Sequence, residues 1–362
     1  MDIYKAFLSN EPLSVRAIGI MSGTSLDGLD LCFAEFQHVD GKWGFTIHKA
    51  ETISYHEKLK QQLENSMLVS GQELALLDAD FGKWIGNRIN AFLVDLNITV
   101  DIIGSHGHTV FHDPQKGYST QIGSGAHIAA ITGIPCACNF RMGDIARGGQ
   151  GAPLVPIGDE LLFSDYQFCL NLGGFSNISF KKSNQRVAFD ICPVNIVLNH
   201  LSGELGIEYD EKGQMGRKGS IDQKLLDKLN SLPYYQQNGA KSLGKEWLTR
   251  EFLPLVNTKE ISIENKFRTV YEHISFQISR AFSNCENEKV LVTGGGAKND
   301  FLMELIRSKT KNQIIIPSPD LVDFKEALIF GFLAVLHQLK IPSCIASATG
   351  AKESSVGGSV FY

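Results

Sequence analysis

Three glycine-rich segments have the composition of loops that hold phosphate groups. The first is Ser22, Gly23, Thr24, Ser25, Leu26, Asp27, Gly28, Leu29 and Asp30; the others contain Gly173 and Gly174, and Gly294, Gly295 and Gly296. Glycine lets backbone N–H groups approach an anion closely, and serine and threonine hydroxyls add donors. A hairpin turn is the alternative for any single loop, but three loops together predict a nucleotide site. None has the Gly-Lys-Ser/Thr of a P-loop.

Three histidines lie close enough together in the sequence to raise the question of a metal site. His106, His108 and His112 lie within seven residues of one another, and the first two are separated by one glycine. Zinc sites normally add cysteine or carboxylate ligands at defined spacings, which this segment lacks. The pattern therefore favours a polar loop, Ser105 to Thr109, over a metal centre.

Short apolar segments that alternate with helical patterns must position these loops. Strands are predicted at 16–21, 29–36, 44–53, 101–105, 168–172, 177–180, 187–191 and 290–293. Helices are predicted at 57–67, 72–97 and 300–308, near Pro193 and from Phe324 onward. Both halves begin with strand, hairpin and strand, which predicts an α/β fold with a mixed-sheet domain duplicated about a cleft. The predicted domains are 1–165, with the first phosphate loop, and 166–362, whose last helix is free to pack on the first domain.

Composition limits the classes of partner. The chain has 362 residues, 43% of them hydrophobic and 20% charged, with a formal net charge of −5. This charge gives no general attraction for nucleic acid. The seven cysteines are scattered, as in proteins of a reducing cytoplasm. The start of the chain has no pattern of a secretory signal, and no apolar run approaches the roughly 20 residues of a membrane span. We expect a soluble cytoplasmic protein with a small-molecule partner.

Further motifs occur in a fixed order along almost the whole chain. They are Ile18 to Gly28, Phe140-Arg141, Asp144, Gly148 to Pro156, Asn171 to Gly174, Tyr209-Asp210, Gly244 to Glu246, Gly294 to Ala297, Glu326-Ala327 and Thr349 to Ala351. In this order they resemble the anhydro-N-acetylmuramic acid kinase family. The resemblance implies two actin-like (ribonuclease H-like) domains, each a mixed sheet flanked by helices, that close over ATP and an amino sugar. It also implies Mg²⁺ with the nucleotide, and leaves open a homodimer.

The resemblance further implies an unusual kinase reaction in peptidoglycan recycling. Water opens the 1,6-anhydro ring of anhydro-N-acetylmuramic acid while O6 takes the γ-phosphoryl group of ATP, which gives N-acetylmuramic acid 6-phosphate. This reaction needs a base for the water, and Asp190, after the apolar run Val187 to Phe189, matches the family's catalytic aspartate. A helix cap near Pro193 is the alternative role for Asp190.

Sugar-binding residues are assigned from the same resemblance. His106, Gly107 and Thr109 match the family's substrate-side loop, and Glu326 matches a sugar contact. The alternative for Glu326 is a favourable charge at the start of an apolar helix.

Two arginines are candidates for binding the lactyl carboxylate of the sugar. Arg147 and Gln150 flank a glycine pair, and an arginine fork there can bind a carboxylate through two hydrogen bonds. Arg141 is a rival for this task, and a structural ion pair is the alternative role for either arginine.

The sequence departs from the family pattern at three points. His108 stands where glutamine is common, and Asn139 replaces an aspartate before Phe140. Ile191 to Asn195 replaces the usual Thr-Gly-Pro-Gly-Asn, so two glycines after Asp190 are lost. These changes leave two alternatives open: a kinase for a different amino sugar on the same fold, and a nucleotide- or sugar-binding sensor with impaired catalysis.

Overall fold

A computed structural model describes residues 3–9, 11–23, 26–94, 96, 98–183, 185–237, 239, 241–282 and 285–362. Its contacts divide the chain into a first unit, residues 1–162 and 324–362, and a second unit, residues 163–323. The carboxyl-terminal segment therefore packs with the amino-terminal residues, whereas the sequence boundary near 165 placed it in the second half apart from the last helix.

Eight observed strands correspond to those predicted, most of them with longer ends, and four more, the fifth, sixth, eleventh and twelfth in chain order, were not predicted. The described residues form twelve strands in all. They are β1 Leu13–Ser22, β2 Leu29–Val39, β3 Lys42–Ile53, β4 Ile102–Asp113, β5 Tyr118–Ile122, β6 Cys136–Cys138, β7 Phe168–Leu172, β8 Phe175–Lys182, β9 Gln185–Pro193, β10 Lys289–Thr293, β11 Gln313–Ile315 and β12 Ser359–Phe361.

Helices precede, separate and follow these strands along the chain. They are α1 Ile3–Leu8, α2 Glu57–Glu64, α3 Gly71–Leu93, α4 Gly125–Thr132, α5 Met142–Ile145, α6 Pro156–Leu161, α7 Asn195–Gly203, α8 Gln214–Lys218, α9 Gln223–Asn230, α10 Lys245–Trp247, α11 Leu253–Val256, α12 Ile263–Ala281, α13 Asp300–Ser308, α14 Pro319–Gln338 and α15 Ala346–Thr349. Short 3-10 segments are Ser66–Leu68, Pro114–Lys116, Glu211–Gly213, Pro233–Gln236 and Gly295–Lys298, and Leu248–Phe252 is a π-helix. Within the described ranges no helix has both the length and the apolarity to span a membrane.

The two units share one strand plan. In the described part of the first unit the sheet order is β12-β6-β4-β1-β2-β3, with β5 beside β4; in the second it is β11-β10-β7-β8-β9. Each begins with three consecutive antiparallel strands, after which β4 pairs parallel with β1 and β10 pairs parallel with β7. This confirms the predicted α/β class with two mixed sheets flanked by helices.

Helix α3 forms close to where its sequence pattern predicts. Ser70 and Glu73 make a reciprocal capping box at its amino terminus, which satisfies backbone donors that the helix leaves unpaired. Its buried face includes Phe81, Ile85 and Ile89, at helical spacing. The helix ends at Leu93, four residues before the predicted end.

The predicted polar loop from Ser105 to Thr109 is wrong, because these residues lie inside strand β4. Strand β5 pairs antiparallel with the end of this segment, where His108 lies opposite Ile122 and Thr109 opposite Gln121. Gly107 has a φ of 72°, a left-handed conformation that accommodates the irregular pairing without a side-chain clash. The period-two pattern was hidden because polar side chains here are buried on both faces of the strand.

Helix α14 packs directly on the backbone of the first sheet. A Cβ atom on Gly19 would lie 1.7 Å from the carbonyl oxygen of Ala327, and one on Gly104 would lie 2.0 Å from that of Phe330. The helix begins at Pro319, so Glu326 lies well inside it, and the prediction that Glu326 stands at a helix start is wrong. Its charge is therefore not explained by the helix dipole, which acts mainly in the first turn.

Candidate functional site

The first glycine loop connects β1 to β2 at the carboxyl end of β1. Ser22 is only 1% exposed; its Oγ accepts a hydrogen bond of 2.8 Å from Tyr55 and lies 3.5 Å from Nδ1 of His108. The Ser22 hydroxyl is therefore used inside the unit. Asp27 is exposed. Thr24 and Ser25 lie outside the described residues.

The other members of this segment are placed on strand β2 or just before it. Leu29 is buried, and the carboxylate of Asp30 accepts a hydrogen bond of 2.6 Å from Thr52 on β3. Gly23 and Gly28 flank the turn. Phosphate binding by this segment remains a prediction, for which the backbone of Gly23 is the accessible group; the exposed carboxylate of Asp27 only accepts hydrogen bonds and suits a cation or a water molecule.

A partly buried arginine sets the tautomer of His106. Nη2 of Arg141 lies 2.7 Å from Nε2 of His106, and Nη1 donates to the carbonyl of Gly151 at 2.7 Å. Because a guanidinium only donates, Nε2 must accept, and Nδ1–H then donates to the carbonyl of Gly107 at 2.8 Å. Burial, followed by Arg141, lowers the pKa of His106 to about 3. His106 is therefore a neutral side chain with both ring nitrogens engaged.

Arg141 uses two of its five N–H donors on neighbouring protein groups. Both terminal nitrogens have protein partners, and its Nε is buried without a hydrogen-bond partner among the described residues. Burial lowers the Arg141 pKa to about 10, and the charge of Glu326 opposes this change. Arg147 is half-exposed; its Nη1 donates to the carbonyl of Gly143 at 2.7 Å, and its Nε lies 3.6 Å from the carboxylate of Glu353. Each arginine keeps N–H donors for a carboxylate, so both Arg147 and Arg141 remain candidates for the lactyl carboxylate.

Glu326 lies on α14 in a region that disfavours its charged form. Burial raises its pKa, Asp30 adds to this effect, and Lys325 and Arg141 oppose it. Lys325 itself forms a buried ion pair of 2.6 Å with Asp159. A carboxyl group with a raised pKa can donate as well as accept a hydrogen bond, which suits contact with sugar hydroxyls.

The segment that presents Arg147 and Gln150 is fastened to the carboxyl-terminal turn. Asp144, which is fully buried, accepts hydrogen bonds from the Thr349 hydroxyl at 2.7 Å and from the amide of Gly151 at 2.8 Å. The amide of Gln150 donates to the carbonyl of Thr349 at 2.8 Å. The conformation of this candidate sugar loop therefore depends on Thr349, almost 200 residues away in sequence.

Replacement of Thr349 tests this connection. We expect Thr349→Val, which keeps the shape but removes the hydroxyl, to destabilise the protein by about 1–3 kcal/mol, because it takes one partner from a buried carboxylate. Amide hydrogen exchange at Gln150 should accelerate. Thr349→Ser retains the hydroxyl and should leave that exchange rate close to wild type; equal exchange in both variants would contradict the role of the hydroxyl.

In the second unit four polar residues occupy one row across the sheet. Thr293 pairs with Asn171, Asn171 with Asn177, and Asn177 with Asp190. Paired residues in a sheet have side chains on the same face. Strands β7, β9 and β10 run in the same direction, so this row and the loops after these strands lie at one carboxyl edge. Ligands of open α/β sheets bind at this edge.

The two glycine loops of the second unit are neighbours at that edge. Gly294 has a φ of 84°, and a Cβ there would lie 2.5 Å from Oδ1 of Asn171. Side-chain Nδ2 of Asn195 donates to the carbonyl of Leu172 at 3.1 Å. The carbonyls of Gly173 and Gly174 accept from the amides at the start of α7. Gly295 is exposed and Gly296 is buried, so the backbone around Gly295 is the accessible part of that loop.

Asp190 has the environment of a base that is accessible on one side. Leu243 N–H donates to its Oδ2 at 2.8 Å, while Oδ1 has no hydrogen bond to the residues that the structure describes. Burial raises the pKa of Asp190, and the Leu243 amide opposes the rise. Asp190 caps no helix, since α7 begins at Asn195 after Val194.

The departures from the family pattern have mostly internal consequences. Cys192 and Val194, which replace the two glycines, are both fully buried in the core of the second unit. Asn139 has a φ of 55°, a conformation that both asparagine and aspartate adopt more readily than other residues. His108 is 5% exposed, and burial lowers its pKa. Thr109 contacts Gln121 at 3.4 Å.

Contacts between separate segments were not predicted from the sequence. Tyr55 contacts Ser22 in the first unit, and Asn177 pairs with Asn171, itself part of a recognised motif, in the second. Thr349 was recognised as part of a motif, but not as the partner of Asp144.

Each unit thus presents polar and glycine-rich segments at the carboxyl edge of a mixed sheet, which defines an α/β protein with two mixed sheets flanked by helices. The family model for anhydro-N-acetylmuramic acid kinase matches residues 15–362. The chain therefore belongs to the anhydro-N-acetylmuramic acid kinase family.

Individual relatives share about a third of their residues with the chain. Proteins named anhydro-N-acetylmuramic acid kinase from Pseudomonas syringae pv. syringae and from a strain of Bacillus cereus are 34% and 31% identical; each match covers 95% of this chain and 98% of the relative. The protein of that name from Haemophilus influenzae is 32% identical, over 95% of this chain and 97% of its own.

Solved structures show a more distant likeness. The activator of 2-hydroxyisocaproyl-CoA dehydratase from Clostridium difficile with bound ADPNP has 12% identity and a TM-score of 0.43, over 90% of this chain and 96% of its own. Component A of (R)-2-hydroxyglutaryl-CoA dehydratase from Acidaminococcus fermentans has 12% identity and a TM-score of 0.45, over 90% of this chain and 100% of its own.

Proposed function

We propose that this protein is an ATP-dependent kinase that opens the 1,6-anhydro ring of anhydro-N-acetylmuramic acid and phosphorylates O6. The observation that supports it most directly is Asp190, whose Oδ2 is held by the Leu243 amide while Oδ1 has no hydrogen-bond partner in the described part of the chain. This arrangement, beside two glycine loops, suits a general base in a phosphoryl-transfer site. Family membership supplies the sugar and the reaction type.

In the proposed reaction, Asp190 takes one proton from a water molecule. The water oxygen bonds to C1 of the sugar as the bond between C1 and O6 breaks. O6 then bonds to the γ-phosphorus of ATP, and the bond from that phosphorus to the β–γ bridging oxygen breaks. The products are N-acetylmuramic acid 6-phosphate and ADP, and the proton on Asp190 passes to solvent.

The nucleotide is a substrate that fits the accessible backbone of the glycine loops. Gly173, Gly174 and Gly295 present main-chain groups at the carboxyl edge of the second sheet, where phosphate oxygens can accept from amides. A side chain at Gly294 would collide with Asn171, which is consistent with a loop shaped for a close backbone approach.

Mg²⁺ fits the acidic residues near the first glycine loop. Asp27 is exposed, and the carboxylate of Asp30, which accepts from Thr52, follows three residues later at the start of β2. Oxygen donors of this kind, together with water and phosphate, are what magnesium prefers. When bound, the ion supplies positive charge to the phosphates of the nucleotide.

The sugar is assigned to residues of the first unit. Arg147 is available for the lactyl carboxylate, with Gln150 beside it on the same fastened loop. Glu326, whose pKa is raised by burial, is available for a sugar hydroxyl. His106, Gly107 and Thr109 stand together on β4 and complete the proposed substrate side. A cytoplasmic location, a homodimer and a role in peptidoglycan recycling remain predictions.

Isotopic labelling of the product tests the proposal. Purified protein is incubated with ATP, Mg²⁺ and anhydro-N-acetylmuramic acid in H₂¹⁸O, and the product is quenched rapidly for mass spectrometry. We expect a 6-phosphosugar with one ¹⁸O at C1. Unlabelled N-acetylmuramic acid 6-phosphate, incubated in parallel, measures non-enzymatic exchange at C1.

Other outcomes would contradict the proposal in distinct ways. Phosphorylation of other amino sugars, without reaction of the anhydro sugar, would show an ordinary sugar kinase of this fold. ATP binding without phosphoryl transfer to any sugar would show a sensor that has lost catalysis.

A further inference from the structure

One segment of the second unit contacts Asp190 at three places. The amide of Asp190 donates to the carbonyl of Lys241 at 3.0 Å, and Leu243 N–H donates to Asp190 Oδ2 at 2.8 Å. The Tyr234 hydroxyl donates to the carbonyl of Asp190 at 2.6 Å. Residues 234–243, apart from 238 and 240, which the structure does not describe, form what we call the bracing segment.

The bracing segment lies along an open edge of the sheet. Strand β9 is the last strand in the order of the second sheet, so its outer backbone groups have no neighbouring strand in the described residues. Unpaired edge groups bind water or any other strand that reaches them. At Asp190 the bracing segment takes these positions, and it thereby also reaches the carboxylate.

Lys241 links the two ends of the bracing segment through hydrogen bonds to its backbone. Its Nζ donates to the carbonyls of Tyr234 at 3.2 Å and Gln237 at 3.1 Å, and it lies 4.6 Å from the centre of the Tyr234 ring. It also lies 5.7 Å from the centre of the Phe189 ring. Lys241 makes no ion pair with a residue that the structure describes. Its ammonium group therefore stabilises a backbone turn through hydrogen bonds and does not pair with a carboxylate of the described residues.

Tyr234 anchors the same segment in the core. It is 5% exposed, and its ring lies 5.6 Å from that of Tyr235 and 5.3 Å from that of Trp247, measured between centroids. Tyr235 in turn contacts His273 of α12, with 3.0 Å between Oη and Nε2. The hydroxyl of Tyr234 is therefore held in place by packing on one side and by Asp190 on the other.

We propose that Tyr234 and Lys241 are positioning residues, which hold the bracing segment so that the Leu243 amide binds and orients the carboxylate of Asp190. Neither side chain touches the carboxylate itself. This inference rests on the proposed function, since it concerns the proposed base, but the structural connection can be measured without turnover.

Loss of the brace should change the titration of Asp190 in one direction. Its carboxylate accepts the Leu243 hydrogen bond in the charged form, so that losing this bond raises the pKa further. Activity requires the ionised form of Asp190. If the pKa is higher, acidification protonates Asp190, and activity is lost, at a higher pH than in the wild type. The acidic limb of the pH profile therefore moves to higher pH.

Other titratable groups near Asp190 do not produce the same change. Burial raises the pKa of Tyr234, and it raises that of Cys192 to about 12. Burial also raises the pKa of Tyr235. These three groups stay neutral in the acidic range in which Asp190 titrates. Lys241 stays charged there, although burial, followed by Arg280, lowers its pKa.

Three variants separate position from charge. Tyr234→Phe removes one hydroxyl without changing charge, and Lys241→Met removes the ammonium group. Lys241→Arg keeps the charge and can still donate to carbonyls. Lys228→Met, on the exposed face of α9, loses the same charge far from the contacts described above and serves as the matched control.

The first readout is the pH profile of kcat/KM for the sugar. We expect the acidic midpoint to rise by at least about 0.5 pH unit in Tyr234→Phe and Lys241→Met, with turnover at the optimum about 3- to 10-fold lower. Lys241→Arg should have an acidic midpoint and a turnover close to those of the wild type, and Lys228→Met should match the wild type in both quantities. Reduced turnover with unchanged midpoints would overturn the proposal, because a purely structural defect lowers activity without moving the midpoint.

The second readout is independent of catalysis. The protein is labelled with ¹³C at the aspartate carboxyl carbons, and the Asp190 resonance is identified by its absence in Asp190→Asn. We expect its titration midpoint to rise in Tyr234→Phe and in Lys241→Met relative to wild type; unchanged midpoints would overturn the proposal. If the wild type phosphorylates no sugar but the Asp190 titration midpoints rise in the variants, the positioning role of Tyr234 and Lys241 is supported and the proposed function is contradicted. Should Lys241→Met unfold, the milder Tyr234→Phe variant still decides the question.

Discussion

Asp190→Asn should lower turnover at least about 10²-fold while the Kd for ATP stays close to that of the wild type. Asparagine has nearly the same shape and keeps an oxygen for the Leu243 amide, but it cannot take a proton from water. General bases typically contribute about 10²- to 10⁴-fold, which sets the lower bound. Steady-state kinetics gives the turnover, and titration calorimetry gives the Kd for ATP.

A surface aspartate provides the matched control for this substitution. Asp227 is exposed on α9, where its carboxylate accepts a hydrogen bond of 2.7 Å from Gln223 of the same helix. Asp227→Asn should leave both turnover and ATP affinity unchanged. Turnover within about threefold of wild type in Asp190→Asn would remove Asp190 from the mechanism, and a joint loss of ATP binding would indicate a damaged fold.

Among substitutions that add one methyl group to a glycine of the first unit, Gly19→Ala should lower the stability of the protein most. The new Cβ would lie 1.7 Å from the carbonyl oxygen of Ala327, so either β1 or α14 must move. Both partners are backbone, and no flexible side chain can turn away. We expect a loss of about 3 kcal/mol or more, at the upper end of overpacking in cores. For a unit of this size this corresponds to a Tm lower by about 6–12 °C.

The control for this prediction is another glycine within a strand. A Cβ on Gly44 of β3 would have no atom within 4 Å, and its φ is not in the left-handed region. Gly44→Ala should therefore change the Tm by no more than about 2 °C. Thermal unfolding followed by circular dichroism compares the two variants directly. Similar Tm values would show that α14 does not rest on β1 as closely as described.

Displacement of α14 also has a functional consequence, since Glu326 precedes Ala327 on this helix. If Gly19→Ala is folded at low temperature, both its KM for the sugar and its KM for ATP should rise, because this contact supports Glu326 on α14 and the proposed phosphate loop that follows β1.

Local patterns were sufficient for most strands and for the overall class. Apolar runs bounded by glycine predicted β7 with its observed ends and β10 to within one residue, because a buried strand must be almost wholly apolar. They failed at Ser105 to Thr109, where the strand continues through polar residues. Its pairing partner β5 is a separate strand further along the chain, and no local propensity reports that pairing.

The candidate site shows the same division. Glycine loops and the aspartate after an apolar run are local features, so the sequence alone identified Gly294 and Asp190 as residues to examine. The hydrogen bond from Leu243 to Asp190 joins residues 53 positions apart, and that from Thr349 to Asp144 joins residues 205 apart. Such pairs have no periodic signature.

By itself, the sequence determined the α/β class, the duplicated strand plan, the family and the residues worth testing, because each depends on apolar periodicity, glycine placement or an ordered set of motifs. Only the tertiary structure decided that Arg141 donates to His106, that Glu326 lies inside a helix packed on β1, and that Asp190 is braced from residues 234–243. The physical reason is that hydrogen bonding, burial and steric contact depend on distances in space, which residue spacing along the chain does not specify.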